Sequence, residues 1–293
     1  MLLKKNQQYR IELGDCITGM ANMPAQSVDM SVFSPPFPAL YAYTSEAGDI
    51  GNSEDLDNEA KLHLSFFYRQ LARIVKPGRV VVVHVMQIPR MKRSGGEGLY
   101  DFRGLNIRIG QRAGLVYEYD WAVRKNPQAQ AIRTKSRELQ FAGLESDRAK
   151  QRGALPDYLI KFRAPGENAT RINTKGEVSR NEWIDWAECC WSDIKETNTL
   201  NVKEGRGEDD TKHICPLQLD VIDRLIRLYS NPGEIVFSPF TGIGSEAYGA
   251  LLRGRKFYGF ELKPEYHSAA LMNAERAMAA SKEDRKSLFE AVA

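Results

Sequence analysis

The sequence predicts an α/β fold, a doubly wound, mostly parallel sheet with one basic insert. Three observations lead there. Strand-like runs alternate with helical ones along most of the 293 residues, the pattern of a sheet covered by helices on both faces. One run, RVVVVHV (79–85), is apolar with a single break, as strands buried on both faces of a parallel sheet are. Near the C-terminus, GEIVFSPFTGIGSEAYGALLRGRKFYGFEL reads strand, glycine turn, helix, strand, a β-α-β nucleotide-binding unit.

The elements follow in order. YRIEL (9–13) alternates like a strand, and GDC ends it. VDMSVF (28–33) is a second, buried strand. It runs into FSPPF (33–37), where two prolines can neither continue a helix nor donate to a sheet ladder. A loop rich in Gly, Asp, Asn and Ser spans 43–60. KLHLSFFYRQLARIV (61–75) has apolar residues at helical spacing, and KPG stops it. After RVVVVHV come a helix, FRGLNIRIGQRAG (102–114), and a strand, LVYEYDWAV (115–123). Residues 124–153 are polar, basic and weakly periodic. DYLIKF (157–162) is a short strand, and 163–191 mixes turns with three tryptophans. CPLQLDVIDRLIRLYS (215–230) is a helix, GEIVFS (233–238) and KFYGFEL (256–262) are strands, and KPEYHSAALMNAERAMAA (263–280) closes the chain as a helix.

Apolar residues make up 42% of the chain, ample for a core, and the length fits one α/β domain with an inserted subdomain. MLLKKNQQYR lacks the apolar core of a signal peptide. RVVVVHVM is too short to cross a bilayer, so an intracellular protein with no membrane partner is expected. Cys16, Cys189, Cys190 and Cys215 form no CxxC pair and the four histidines are scattered, so reduced thiols and no metal are expected. Net charge is +3, but residues 86–165 hold 16 Lys/Arg against 8 Asp/Glu. Such a segment suits a polyanion partner, or is a solvated loop face.

Two motifs carry chemistry. A strand ends at Ser238, Gly242 and Gly244 open a helix, and the next strand ends at Glu261, 23 residues after Ser238. Glycines let the backbone approach a ligand, and an acid at about 20 residues can bind a ribose diol. A tight turn and a solvated acid are the structural alternative. The loop lacks both the full GxGxxG and the Lys-Ser/Thr of a phosphate loop, which points to an adenosine-bearing ligand without a pyrophosphate. The other motif is FSPPF.

FSPPF and FSPFTGIGS together resemble the amino-group DNA methyltransferases that use S-adenosylmethionine. That family carries [Asp/Asn/Ser]-Pro-Pro-[Tyr/Phe/Trp] at one strand tip and Asp-Pro-Phe-x-Gly-x-Gly at another. Here the Pro-Pro motif comes first, which resembles the permuted class called beta. GDCITGMANMPAQSVDMSVFSPPF, CCWSDI, KHICPLQL and FYGFELKPEYHSAA resemble it too, so residues 9–85 and 189–275 are covered. The resemblance implies a Rossmann-like sheet of the S-adenosylmethionine-dependent methyltransferase type. Its catalytic domain would comprise 1–123, 156–165 and 189–293, with a target-recognition insert at 124–155 and 166–188.

It also implies residue roles. A base must leave the duplex stack before its exocyclic amine is reached. Ser34 Oγ and the Pro35 carbonyl would hold that amine, Pro36 would fix the carbonyl's direction, and Phe37 would stack on the flipped ring. In isolation Ser34 reads as a strand-end cap. Phe240, Thr241, Gly242, Gly244 and Ser245 match the loop on the methionine part of the cofactor. Glu261 matches the acid on the ribose. Asp15 matches the acid at the adenine amino group, or is a turn-forming Asp. Ser238 stands where the family usually has Asp facing the cofactor's ammonium; a serine accepts a hydrogen bond but forms no ion pair. HICPLQL departs from the usual His-Pro-x-Gln-Lys-Pro.

Arg124, Lys125, Arg133, Lys135 and Arg137 would contact double-stranded DNA, at base edges or phosphates. Trp183, Trp186 and Trp191 are expected in core or dimer contacts, and the resemblance implies a homodimer. A serine at the first motif position is commoner in cytosine-N4 enzymes, while the extended stretch after it resembles bacterial and prophage orphan adenine enzymes. The expectation is therefore transfer to adenine N6 in a bacterial cytoplasm, with cytosine N4 or a catalytically silent DNA-binding module as alternatives.

Overall fold

The computed structural model describes residues 2–37, 59–90, 98–134, 152–200 and 216–290, with 145, 147 and 149 besides. In chain order the elements are β1 (Tyr9–Leu13), α1 (Cys16–Ala21), β2 (Val28–Phe33), α2 (Glu59–Ile74), β3 (Val75–Met86), β4 (Ile88–Pro89) and β5 (Leu99–Tyr100). Then come α3 (Phe102–Arg112), β6 (Val116–Val123), α4 (Pro127–Thr134), β7 (Asp157–Arg163), α5 (Arg180–Trp186) and β8 (Cys190–Trp191). The last are α6 (Leu219–Tyr229), β9 (Ile235–Ser238), α7 (Ser245–Leu252), β10 (Lys256–Glu261) and α8 (Pro264–Glu290).

Eight strands form one sheet in the order β1-β10-β9-β2-β3-β7-β6-β8, and β4 pairs with β5 apart from it. Neighbours are parallel except across β7, which is antiparallel to both β3 and β6. The alternation in β3 sends Val81, Val83 and Val85 to one face and Val80 and Val82 to the other. On the first face α2 buries Leu64, Phe67, Tyr68 and Leu71, and α3 adds Leu105 and Ile109. On the second lie Val221, Ile222, Leu225 and Ile226 of α6, Ala247 and Ala250 of α7, and Ala270 and Ala274 of α8. Each large side chain so buried contributes roughly 1.5–3 kcal/mol. The predicted doubly wound α/β architecture is therefore present. No helix among the described residues is long and apolar enough to cross a membrane.

Two expectations change. KPG does not separate helix from strand: α2 ends at Ile74 and β3 begins at Val75. Lys76–Arg79 form a bulge, because Val28 pairs with Val75 but Met30 pairs with Val80. Gly78 turns it with φ +71, and a Cβ there would lie 2.4 Å from the Asn168 backbone nitrogen. The apolar run of β3 also has an antiparallel neighbour on one side, β7.

The pieces expected to form the recognition insert separate. Because β7 is antiparallel, its end at Arg163 pairs beside Val80 and Val116, at the amino ends of the parallel strands. Residues 166–178 continue there: Gly78 packs against Asn168, and Asn173 N donates to Asn231 Oδ1. Arg255 and Glu177 form a 2.6 Å ion pair, and Arg227 joins Glu182 at 2.9 Å. Residues 166–188 thus pack on the body, while the chain leaves the carboxyl end of β6 after Val123.

The close fit of β10 against the turn after β9 gives a prediction. A Cβ on Gly259 would stand 2.3 Å from Thr241 Oγ1 and 2.7 Å from the Ser238 carbonyl oxygen. Gly259→Ala should cost about 1–3 kcal/mol, read as a lower urea midpoint at unchanged slope.

Candidate active site

β2 and β9 are parallel neighbours, with Met30 beside Val236 and Ser31 beside Phe237. Past their tips the chain turns opposite ways. From β2 it passes through α2 to β3 on one side; from β9 it passes through α7 to β10 on the other. In open α/β sheets ligands bind in the crevice outside the carboxyl ends at such a switch point. Ser34–Phe37 follow one strand into this crevice and Pro239–Gly244 follow the other.

The β9 turn is held by backbone bonds. Thr241 N donates to Phe260 O at 2.9 Å, and Gly242 N donates to Glu261 Oε2 at 2.7 Å. Gly242 and Gly244 have φ +55 and +92, where side chains are strained. A Cβ on Gly244 would press on Ala270 Cα at 2.9 Å, whereas one on Gly242 would meet nothing within 4 Å among the described residues. The loop is thus clamped on the helix side and open at Gly242. Glu261 Oε1 accepts from Lys263 N at 2.9 Å. Its carboxylate is thereby fixed at the tip of β10. Ser238 and Ser245 are buried, and neither hydroxyl has a partner among the described residues. Phe240 lies between Phe33 and Phe67, with centroids at 5.9 and 5.0 Å.

Glu246, in the first turn of α7, is only 4% exposed. Burial, with the nearby Glu261 charge adding to it, pushes its carboxyl up to about 8. Asp15 caps α1, its carboxylate accepting from Ile17 N, Thr18 N and Thr18 Oγ1. Gly14 N donates to Glu261 O at 2.8 Å, which sets this cap beside the β10 tip.

At the β2 tip, Ser34 Oγ lies 2.7 Å from His84 Nδ1. His84 Nε2 lies 2.9 Å from Asp157 Oδ2, and Lys125 Nζ reaches the same oxygen at 2.5 Å. Register explains the meeting. Phe33 pairs with Val83, so Ser34 and His84 follow side by side. Antiparallel β7 begins at the tips of its neighbours, and its first residue is Asp157, beside Met86 and Val123. Burial would raise the Asp157 carboxyl, but His84 and Lys125 outweigh it and hold the group below the usual carboxylate range. In the His84 tautomer with its proton on Nε2, Nδ1 is the acceptor of the Ser34 contact. Pro35 is buried, Pro36 and Phe37 are partly exposed, and Phe37 leans on Phe102 with centroids 5.5 Å apart.

The two motifs read from sequence are therefore brought together, and Asp15 and Glu261 stand beside them. The Lys125 side chain is 7% exposed and paired with Asp157, beside His84 and Ser34. Arg124 is exposed next to it. Arg133 is described by its backbone alone, and Lys135, Arg137 and the 43–58 part of the polar loop lie outside the described residues. Trp186 and Trp191 are buried while Trp183 is 55% exposed. No group of three or more metal-binding side chains occurs among the described residues. His84, Asp157 and Glu246 were missed. The signal for His84 was one polar residue interrupting an apolar strand. The partnership with Asp157, 73 positions away, had none.

The profile of the N6/N4-type DNA methylase family matches residues 28–272. The type II methyltransferase M.BamHI of Bacillus amyloliquefaciens is 24% identical over 259 residues, 85% of this chain and 53% of that one. M.BglI of Bacillus subtilis is 30% identical over 119 residues, 41% of this chain and 30% of that one. The chain thus spans between 30% and 53% of these curated relatives. The crystal structure of a DNA modification methylase from Thermus thermophilus, TTHA0409, complexed with S-adenosyl-L-methionine, superposes with TM-score 0.69 at 20% identity, over 92% of this chain and 94% of that one. PvuII DNA methyltransferase, which is cytosine-N4-specific, gives 0.65 at 18% identity, over 94% and 92%. At these identities the shared property is the fold. With a profile match across most of its length, and both motif loops at one switch point, the chain belongs to the N6/N4 DNA methylase family.

Proposed function

We propose that the protein methylates the exocyclic amine of a base flipped out of double-stranded DNA, with adenine N6 as the acceptor. The observation that carries this reading is the Ser34 oxygen, 2.7 Å from His84 Nδ1 and in the same crevice as the glycine loop of β9.

The residues present fit S-adenosylmethionine. Gly242 leaves open space for a ligand, Glu261 offers a fixed carboxylate for the ribose hydroxyls, and two buried serine hydroxyls want partners. Phe240, Thr241, Gly244 and Ser245 complete the methionine side, and Asp15 serves the adenine. When bound, the cofactor supplies a methyl group activated on a sulfonium. The chain's own residues act on the amine. Ser34 Oγ and the Pro35 carbonyl each accept one N–H, which turns the nitrogen lone pair toward the incoming carbon, and positioning of this kind supplies much of the rate. Phe37 holds the ring by stacking. Methylation leaves the nitrogen with one proton too many. An N–H bond breaks as a Ser34 O–H bond forms, and the original Ser34 proton moves to His84 Nδ1. Asp157 stabilises the resulting imidazolium, while Lys125 keeps Asp157 ionised.

Cytosine N4 is the second reading, since the same two acceptors serve either amine and the fold is shared with a cytosine-N4-specific enzyme. Adenine is favoured by the resemblance of the stretch after Phe37 to orphan adenine enzymes. DNA recognition is assigned to 124–155, which leaves the sheet next to Lys125 and begins with exposed Arg124. A homodimer and a bacterial cytoplasm complete the proposal on the same resemblance.

Incubation of unmethylated DNA with labelled S-adenosylmethionine, followed by nucleoside mass spectrometry, should place label in N6-methyladenine. Label in N4-methylcytosine would reassign the base, and no label in any nucleoside would overturn the reading. Ser34→Ala should lower kcat about 10²–10³-fold, by analogy with the loss of one positioned hydrogen-bond partner, with cofactor binding unchanged by calorimetry. Asp157→Asn strips the buried His84 and Lys125 of their anion and should cost about 3–5 kcal/mol near neutrality. The folded Asp157 value is depressed, so its stabilisation is complete above the unfolded value of about 4 and fades as pH falls toward the depressed one. Urea titrations should show the two proteins converging below pH ~4.

A further inference from the structure

We propose that Glu246 receives the ammonium of the cofactor's methionine moiety, the position that Ser238 leaves without a charge. The proposal rests on the reading of the crevice as an S-adenosylmethionine site.

Ser238 ends β9 with its hydroxyl buried and unpartnered among the described residues, and Ser245 opens α7 in the same condition. Unpaired buried hydroxyls are costly and call for a ligand group. Between them runs the loop of Gly242 and Gly244, open at Gly242. The residue after Ser245 is Glu246. It is buried, and no side chain among the described residues pairs with it. A carboxyl in this setting gives the fold nothing that an apolar residue would not give more cheaply. Buried acids beside a crevice are functional candidates for that reason.

The surrounding charges leave the position to a cation. On α6, Asp223 pairs with Arg253 at 2.5 Å and Arg227 at 3.4 Å. On α8, Arg276 donates to Asn273, His267 meets Ile11 O, and Lys263 just before the helix lies over the Tyr266 ring. The charge that bears on Glu246 is Glu261, at the tip of β10, and it has the same sign. Among the described residues no cation answers it. An ammonium placed in this loop would bring the missing charge, with the amino end of α7 favouring the carboxylate as well. The acid has in effect moved from the strand tip, where Ser238 now stands, into the first turn of the following helix.

The chemistry has a readout apart from activity. In the free protein the Glu246 carboxyl titrates at about 8 and is mostly protonated at pH 7. An ammonium lowers that value, so binding must expel the proton, and affinity must rise with pH up to about 8. Calorimetry of S-adenosylhomocysteine at pH 7 in buffers of different ionisation enthalpy should show release of roughly one proton from the wild type. Glu246→Gln should abolish the release and weaken binding about 10–100-fold, the ordinary range for losing a charge-assisted bond. Binding of the analogue lacking the amino group should be weak and nearly equal in the two proteins. Gln is neutral, like the protonated acid it replaces, so the variant should unfold at an unchanged urea midpoint at pH 7. Binding of S-adenosylhomocysteine to the wild type without proton release, or equal release from Glu246→Gln, would overturn the role of Glu246 and leave the site standing. No binding at all would overturn both.

Discussion

Two strands that pair in parallel and then send the chain in opposite directions set the conditions for everything else. β2 and β9 are hydrogen-bonded neighbours, yet α2 carries the chain to one side and α7 to the other. Among the described residues no connection crosses the tips between them, which leaves the crevice of a switch point. The residues beyond each tip must therefore be ones that tolerate an open edge. Prolines fix one exit and positive-φ glycines the other. The same feature lets the chain present its Ser-Pro-Pro-Phe motif first and its glycine loop last. The two are far apart in sequence and adjacent in the sheet.

The antiparallel strand is the second constraint. Were β7 parallel, its first residue would lie at the far end of the sheet. Reversed, it delivers Asp157 to the tips, where β3 brings His84 and the end of β6 brings Lys125. Burial of these three groups is unfavourable for each alone and is offset by their mutual charges. The product is a serine hydroxyl held against His84 Nδ1. A hydroxyl free to rotate can donate or accept, while one donating to His84 Nδ1 can only accept from a bound amine. The order of atoms differs from that of hydrolytic Ser-His-Asp triads, where serine meets Nε2 and aspartate meets Nδ1. Here the ring is turned round: serine meets Nδ1 and aspartate meets Nε2.

Much of this was legible in sequence, and the limits have physical reasons. Largely apolar runs in 28–33, 79–85 and 256–262 mark central strands because both of their faces are buried. The glycine loop and the Ser-Pro-Pro-Phe tip were legible because their residues have unusual backbone requirements. The KPG bulge was not, since its strand register depends on a partner 47 residues earlier, Val28 against Val75. The pairing of Lys125 with Asp157 was not legible, because a lysine in a basic stretch has no visible partner until β7 is folded beside it. Residues 166–188 looked like part of an insert because their packing uses Glu177, Glu182 and Asn231 pairs that span 45 residues or more. Ser238 was visible as a departure, while its counterpart Glu246 became visible only when burial was known.

The central claim is that cofactor and base meet at the gap between β9 and β2, on the side where Ser34 presents its oxygen. A crystal structure with S-adenosylhomocysteine bound tests it most directly. The expected result is a ligand seated outside the tips of β9 and β10, its amino-acid end along Gly242–Glu246, its ribose at Glu261, and Ser34 Oγ facing the sulfur side with His84 behind it. A ligand held elsewhere on the molecule, or a Ser34 hydroxyl sealed off from the bound sulfur, would contradict it.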